Sequence, residues 1–520
     1  MEKIGGEKMR EFILKMIKNN FDAAKVSLDL ADYGTAGETI YPASLHLAEG
    51  CAVFLARING EKKLVAVAQA ESKLFAAILP EQLLTIESMP VKIAELSHAN
   101  ACVLRKFFSF MNPVAFGRNS FSLGLGDRLG LASPGHLHCL EGTPIRPVLA
   151  QQSIRELVLT HRTYEDVLDA ASWAVLQEGF HGGFGADGDH LKKPEEIKMA
   201  LDLGFSMITL DCSEKIDGKV ATMTKDELAA KYMKLDPKFV QEMEGAYLGK
   251  NFSVGTNVIR FDRETLQEIL LTYGATLAFI KEINETFIKN HKQPVDFELS
   301  IDETMTPTTP AAHYFMAAET EKAGIVLYSV APRFCGEFQK GIDYIGDLSL
   351  FEADFAAHAA IADHFGYKIS VHSGSDKFSV FPIVGQYTKG RVHVKTAGTN
   401  WLEALRVVCR KDPKLFREIC DYAHESFAEA TKLYHVTTDL KKIPKTSEMT
   451  DEQLERMLNE PDARQLLHIT YGQILTDKDA NGKTKFRDRL YAFWNQHEKE
   501  YSEVLEVHIG KHIKTLMSKM

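Results

Sequence analysis

Hydrophobic segments in this chain repeatedly end in a charged tip that leads into a helical stretch. GGFGADGDH ends with Asp189 and His190, and FELSIDET with Asp302 and Glu303. YKISVHSGSDK carries His372, Asp376 and Lys377, and RVHVKTAGT carries His393 and Lys395. SFSLGLGDR, PVLAQQS, FSMITLDCS and IVLYSVAPRF bring the count of strand candidates to eight. Strands that alternate with helices build parallel sheets. Eight such units predict an α/β fold whose core is a (β/α)8 TIM-barrel-like domain. In that fold the loops after the strands build the active site, so the charged tips are where chemistry is expected.

The barrel is expected over residues 118–410, with an insertion at about 213–290 that contains the helical pattern RETLQEILLTYGATLAFIKEINETFIKN. Residues 1–117 read as an N-terminal mixed α/β unit. It has an amphipathic first helix and a hairpin at Asn59-Gly60, a dipeptide suited to a tight turn. IAELSHANACVLRKFFSFMNP reads as a helix stopped at Asn112-Pro113. Residues 411–520 read as a helical C-terminal region.

A net charge of −10 and the lack of a dense Lys/Arg tract argue against a nucleic-acid partner. No apolar run approaches the roughly 18 residues of a membrane span, and no signal peptide is evident, so a cytoplasmic protein without a membrane partner is expected. The seven cysteines are odd in number, widely spaced and without a CxxC, which argues against a disulfide framework or a structural zinc cluster.

VDFELSIDET alternates with a period of two: Val295, Phe297, Leu299 and Ile301 against Asp296, Glu298, Ser300 and Asp302. In a barrel the polar set points inward, where carboxylates must be paired, hydrogen-bonded or metal-bound. His190 and His372 each end a strand, and two histidines with a carboxylate form a frequent catalytic metal set. Glu337, after strand six, and His393, on strand eight, are candidates to complete it. Asp189 is a candidate base beside His190; its alternative role is to cap the helix that starts near Pro194. Lys377, Lys395, Arg128 and Arg333 gather positive charge near strand ends of an acidic chain, which points to an anionic substrate. No P-loop or GxGxxG follows a strand, so no nucleotide cofactor is expected. His313, His358 and His364 lie in helical patterns and read as structural.

These motifs resemble those of the tagaturonate epimerases of bacterial hexuronate catabolism. The resemblance rests on GLGDRLGLASPGH, GADGDHLKKPEEI, GFSMITLDCSE, SIDETMTPTTP, VAPRFCGEFQKGIDYIGDL, VHSGSDKFSVFPIV and HVKTAGTNWLEALR. It implies a divalent-metal-dependent epimerase that interconverts D-tagaturonate and D-fructuronate. It implies Asp189 as proton acceptor and a strand-five donor, Glu303 first with Glu298 and Asp302 in reserve. His190 and His372 match metal ligands, with Glu337 as the third and His393 held against it. Lys377, Lys395 and Arg333 are assigned to a small anionic sugar acid. The ion could be zinc, manganese, cobalt, nickel or iron, and a homo-oligomer is left open. Inversion by proton transfer between Asp189 and Glu303 is the first expectation, with retro-aldol cleavage and re-addition as the other route. A class II-type sugar-acid aldolase and a non-catalytic sugar-acid-binding barrel are the alternative functions.

Overall fold

The structure is a computed structural model that describes residues 6–22, 25–26, 34–35, 38–302, 304, 306–396 and 398–520. Its centre is a closed barrel of eight parallel strands. In chain order these are Ser122–Gly124, Arg146–Ser153, Gly185–Leu191, Met207–Asp211, Asp296–Ile301, Ser329–Pro332, Lys368–Val371 and Val392–Lys395. Each lies in one of the eight segments expected from the sequence. The barrel closes between strands eight and one, where Val394 pairs with Leu123 and Lys395 with Gly124. Strand five shows the reason for its alternation. Phe297, Leu299 and Ile301 belong to the apolar core shared with the helices, while the carboxylate of Glu298 lies inside the barrel among polar side chains.

Before the barrel stands an antiparallel sheet of Glu38–Ala48, Cys51–Ile58, Glu61–Ala68, Met89–Ala94 and Gln82–Ile86. Its central hairpin turns at Asn59 and Gly60, both with positive φ (52° and 84°), the geometry that favours an Asn-Gly dipeptide. The first helix, Glu7–Lys18, buries Met9, Phe12, Ile13 and Met16 against one sheet face. The other face packs on Trp173 and Leu176 of the barrel helix Tyr164–Gln177. The helix expected from Ile93 onward starts only at His98. Ile93 and Ala94 instead complete a strand, where their pairing with Val65 and Leu64 satisfies their backbone groups. Ser97 then caps the helix by accepting the Asn100 N–H.

The insertion after strand four consists of short helices, a small hairpin (Asn251–Val254 with Asn257–Arg260) and the long helix Arg263–Ile283. Among the described residues no helix is long and apolar enough to cross a membrane. All seven cysteines are free thiols.

After strand eight the chain forms a helical layer with its own core, centred on Trp401, Leu405, Phe416 and Trp494. The last helix, Glu498–Met517, returns to the barrel. Two glycines allow the approach. A Cβ on Gly385 would strike the Leu516 carbonyl, and one on Gly135 would lie 3.0 Å from Ser502 Cα. A polar cluster pins the same helix to the loop after strand seven. His508 Nε2 lies 3.1 Å from Asp376 Oδ1, its Nδ1 lies 3.6 Å from Glu403, and Arg464 pairs with the other Asp376 oxygen. The Asp376 N–H donates to His512 Nε2 at 2.9 Å.

Burial alone would push the His508 imidazole down, but Asp376 and Glu403 outweigh burial and the opposing Arg464, and hold it above its ordinary value. A raised folded-state value stabilises fully below the unfolded value of about 6.5 and is lost as pH rises through the folded one. Hydrogen-exchange protection of residues 498–517 should therefore fall as pH rises above about 6.5. In His508→Gln that pH dependence should be flat; an unchanged profile in the variant would remove His508 from the anchor.

Candidate metal centre and active site

The floor of the barrel mouth is a buried ion cluster. Lys395 Nζ donates to Asp187 Oδ2 at 2.9 Å, Asp189 Oδ1 at 2.6 Å and Thr209 Oγ1 at 2.6 Å, and lies 2.9 Å from Glu298 Oε1. Burial would strip the proton from a lysine here; the three carboxylates outweigh that and hold it well above its ordinary range. Asp187, like Glu298, is fully buried. Burial pushes it up to about 6, Lys395 offsets part of that, and Asp189 and Glu298 add to the rise.

Strand three brings two consecutive side chains to this mouth, which a regular strand cannot do. Asp187 and Gly188 pair with Met207 and Ile208, but Leu191 pairs with Leu210, so Asp189 and His190 together stand opposite Thr209. This is a β-bulge, and His190 sits in it with φ +56°. Gly188 makes room for it: a Cβ there would lie 2.9 Å from Leu191 Cδ1. Asp189 is not the cap of the next helix. Glu196 reaches back to the N–H groups of Lys192 and Lys193 instead, at 3.0 and 3.2 Å.

The two histidines face each other with ring centroids 4.8 Å apart. His190 Nδ1 bonds Asp189 Oδ1 at 2.8 Å, and His372 Nε2 bonds Glu298 Oε1 at 2.8 Å. Each imidazole thus has one nitrogen tied to a carboxylate, which fixes the ring and presents the other nitrogen, the arrangement usual for metal-ligating histidines. His372 Nδ1 is buried and has no hydrogen-bond partner. Asp302 Oδ1 lies 3.1 Å from it but off the hydrogen-bond axis. Ligand atoms of His190, His372 and Asp302 all fall within 4.8 Å of one another. Burial would push His372 down, yet Asp302 and Glu298 hold it up at about 10, so this corner favours positive charge. Two imidazoles and a carboxylate with an orphaned buried nitrogen fit a divalent cation of the transition series.

Above this floor opens a cavity of about 670 Å³, lined by Asp189, His190, Asp302, His372 and Lys395 and by Arg155, Lys192, Lys193, Arg333 and Lys340. Its lining mixes both signs, with basic side chains slightly in excess although the chain is acidic.

Comparison with known proteins gives this barrel its relatives. The model of the tagaturonate epimerase family, UxaE, matches residues 41–516. The chain belongs to the tagaturonate epimerase family. The tagaturonate/fructuronate epimerase of Thermotoga maritima is 39% identical over 486 residues, which covers 93% of this chain and 98% of that protein. The native crystal structure of the fructuronate–tagaturonate epimerase of Cohnella laeviribosi superposes with a TM-score of 0.90 at 50% identity, covering 95% of this chain and 99% of that one. The complex of the same enzyme with one glycerol gives 0.89 at 49% identity, over 97% and 99%.

In this family member the structure gathers Asp189, His190, His372 and Lys395 from three expected strand tips. Arg333 lines the same cavity. Glu337 does not join the histidines. It lies on the cavity rim, its side chain 47% exposed, bonded to Gln339, whereas Asp302 is the carboxylate with an oxygen within 4.8 Å of nitrogens of both histidines. His393 lies deeper, its Nδ1 2.9 Å from Ser122 Oγ, and burial pushes it down to about 3. Lys377 is a correction. It was expected to touch substrate, but it is fully buried and donates to the Gln339, Ile342 and Ser375 carbonyls, so it has no donor left for a ligand. Glu303 lies outside the described residues; Glu298, a reserve for its role, forms part of the floor. Asp187 and Thr209 escaped the sequence reading. Asp187 could have been found, because it precedes Asp189 by two and so shares its face.

A second group, Asp376, His508 and His512, also places its atoms within 4.8 Å. There Arg464 already neutralises Asp376, and the His512 lone pair accepts the Asp376 N–H, so the group serves as an anchor.

The ion cluster makes a stability prediction. Lys395→Met strands three buried carboxylates and should cost about 3–5 kcal/mol in denaturant unfolding, the range for an uncompensated buried charge. Adding Asp187→Asn should recover part of the loss. Equal stability of Lys395→Met and the wild type would show that the carboxylates are compensated elsewhere.

Proposed function

We propose that this chain interconverts D-tagaturonate and D-fructuronate, with a divalent cation held by His190, His372 and Asp302. The observation that carries the reading is the buried His372 Nδ1, which has no hydrogen bond and faces Asp302 and His190 beside Asp189 at the cavity floor. Membership of the tagaturonate epimerase family supports the choice of substrate. A cation bound there would act as a Lewis acid on the ketone and a neighbouring hydroxyl oxygen.

The two sugar acids differ at a carbinol carbon one bond beyond the carbon next to the ketone. That C–H is not acidified by the carbonyl, whereas the hydroxyl on the same carbon is an ordinary alcohol. Retro-aldol chemistry therefore asks less of the base than direct C–H abstraction. Asp189 takes the hydroxyl proton. The bond between this carbon and the ketone's neighbour breaks, and its electron pair passes into an enediolate while the carbinol carbon becomes an aldehyde. Rotation of the aldehyde, re-addition through its other face and return of the proton give the epimer. Lys395 fixes the Asp189 carboxylate throughout and places a positive charge at the cavity floor. The buried walls hold the two fragments together, which separates an epimerase from an aldolase that releases them.

Asp189→Asn should lower turnover by about 10²-fold or more, the usual scale of a lost general base, with metal retained. His372→Ala and Asp302→Asn should lose divalent metal by elemental analysis, and Glu337→Gln should keep it. EDTA should abolish activity, and add-back of zinc, manganese, cobalt, nickel or iron should show which restores it. Turnover in D₂O should leave the inverted carbon free of deuterium and show a carbon isotope effect. Deuterium at that carbon would instead put proton acceptor and donor on opposite faces, the role expected of Glu303. Accumulation of free three-carbon fragments would make the protein an aldolase.

A further inference from the structure

The loop after strand one, GLGDRLG, holds a buried cation whose hydrogen bonding is incomplete. Arg128 is 3% exposed, yet it lines the cavity. Its Nε and Nη2 donate to the same Glu156 oxygen at 2.9 and 2.6 Å, and its guanidinium carbon stands 4.1 Å over the Tyr471 ring. Its Nη1 is buried without a hydrogen-bond partner. One edge and one face of the plane are thus occupied, and the remaining edge carries the spare donor. A buried donor left unmade carries a desolvation penalty, larger for a charged group. The fold keeps this penalty and also rigidifies the group that bears it.

The rigidity is local. Asp127 ties the loop by accepting the N–H groups of Leu129, Gly130 and Ala132 at 3.0, 2.8 and 2.7 Å. Glu156 is itself fixed by the capping box that starts the next helix, where Ser153 is its partner. Ser153 pairs in register with Asp189, so the Arg128–Glu156 unit is anchored beside the proposed base. Gly398 faces the guanidinium: a Cβ there would lie 3.6 Å from Nη2 and would collide with His468. A preorganised guanidinium edge in a low-dielectric cavity is suited to an anionic oxygen, which it binds more strongly than a neutral one.

We propose that Arg128 Nη1 binds the carboxylate of the sugar acid and sets the preference for the acid over the neutral ketose. This rests on the epimerase reading for the identity of the ligand. The metal corner is built from strands three, five and seven, and Arg128 comes from strand one. The carboxylate is held away from the ketone end, so the bond to be cleaved lies between two anchors. The tip residue Lys377 has no part in this recognition.

The test uses the full chain and D-gluconate as a non-reacting six-carbon carboxylate, with binding read by calorimetry. Arg128→Met alone strands Glu156, so the informative variant is Arg128→Met/Glu156→Gln, which stays neutral and keeps the capping box. Thermal unfolding and metal content verify its fold. Gluconate should bind about 10- to 100-fold more weakly, the range of a charge-assisted hydrogen bond. The kcat/KM for D-tagaturonate should fall by a similar factor, chiefly through KM, while that for D-tagatose stays within about threefold. Unchanged gluconate affinity overturns the proposal, and so does an equal loss on the acid and the neutral ketose. Arg128-dependent gluconate binding by a wild type that does not epimerise D-tagaturonate would uphold the carboxylate site and reject the epimerase reading.

Discussion

The interior of this barrel depends on one ammonium group. Lys395 reaches Asp187, Asp189 and Glu298 from strand eight, and those carboxylates come from strands three and five. Without it three buried anions would share the barrel floor, and the desolvation penalty of each would be uncompensated. With it Glu298 stays ionised and can hold His372, and Asp189 stays ionised and can hold His190. The orientation of both imidazoles, and hence the direction of their remaining nitrogens, follows from a charge that touches neither ring. A single lysine is also too little for the number of carboxylates around it. Asp187, Asp189, Glu298 and Asp302 outnumber Lys395, and the remaining demand for positive charge falls at the His190–His372–Asp302 corner.

The same economy of placement explains the bulge in strand three. A regular strand would send Asp189 inward and His190 outward among the helices. The extra residue lets the proposed base and the proposed ligand come from adjacent positions, so their relative geometry is fixed by the chain itself. The cost is a histidine in the left-handed region, and the hydrogen bond from His190 Nδ1 to Asp189 helps to hold it there.

The barrel and its strand tips were legible because the signal is local. Each strand announces itself by apolar residues and each tip by the charge that follows. His190, His372, Asp189 and Lys395 were singled out this way, and the structure brings them to one barrel mouth. Which of Asp302, Glu337 and His393 stands beside the two histidines was not legible, because it depends on which tips converge across the barrel. Strand register decides that, and no local pattern reports register. Asp302 had been seen, but as a candidate acid. Lys377 was misread for a related reason. A lysine at a strand tip looks the same in sequence whether it faces solvent, a ligand or three carbonyls. The start of the helix at His98 failed through context: the pairing partner that draws Ile93 into the sheet is remote in sequence.

Where Lys377 does act shows how the C-terminal layer belongs to the site. Its ammonium holds the Gln339 and Ile342 carbonyls, and so the loop after strand six that carries Glu337 and Lys340. The C-terminal layer grips the same loop from the other side. Gln339 Oε1 accepts from the Thr437 N–H at 3.1 Å and from Gln465 Nε2 at 2.9 Å, and Arg464 donates to the Gly341 carbonyl at 2.8 Å. Tyr434 and His435 then complete the cavity wall, and Tyr471 supports Arg128 from behind. The barrel supplies the chemical groups at its strand tips, where they are rigid. The helical layer supplies the outer wall and the support for the proposed carboxylate anchor. By walling the barrel mouth with Leu433, Tyr434 and His435, the layer limits the water above that ion cluster, and charge interactions are stronger where water is kept out.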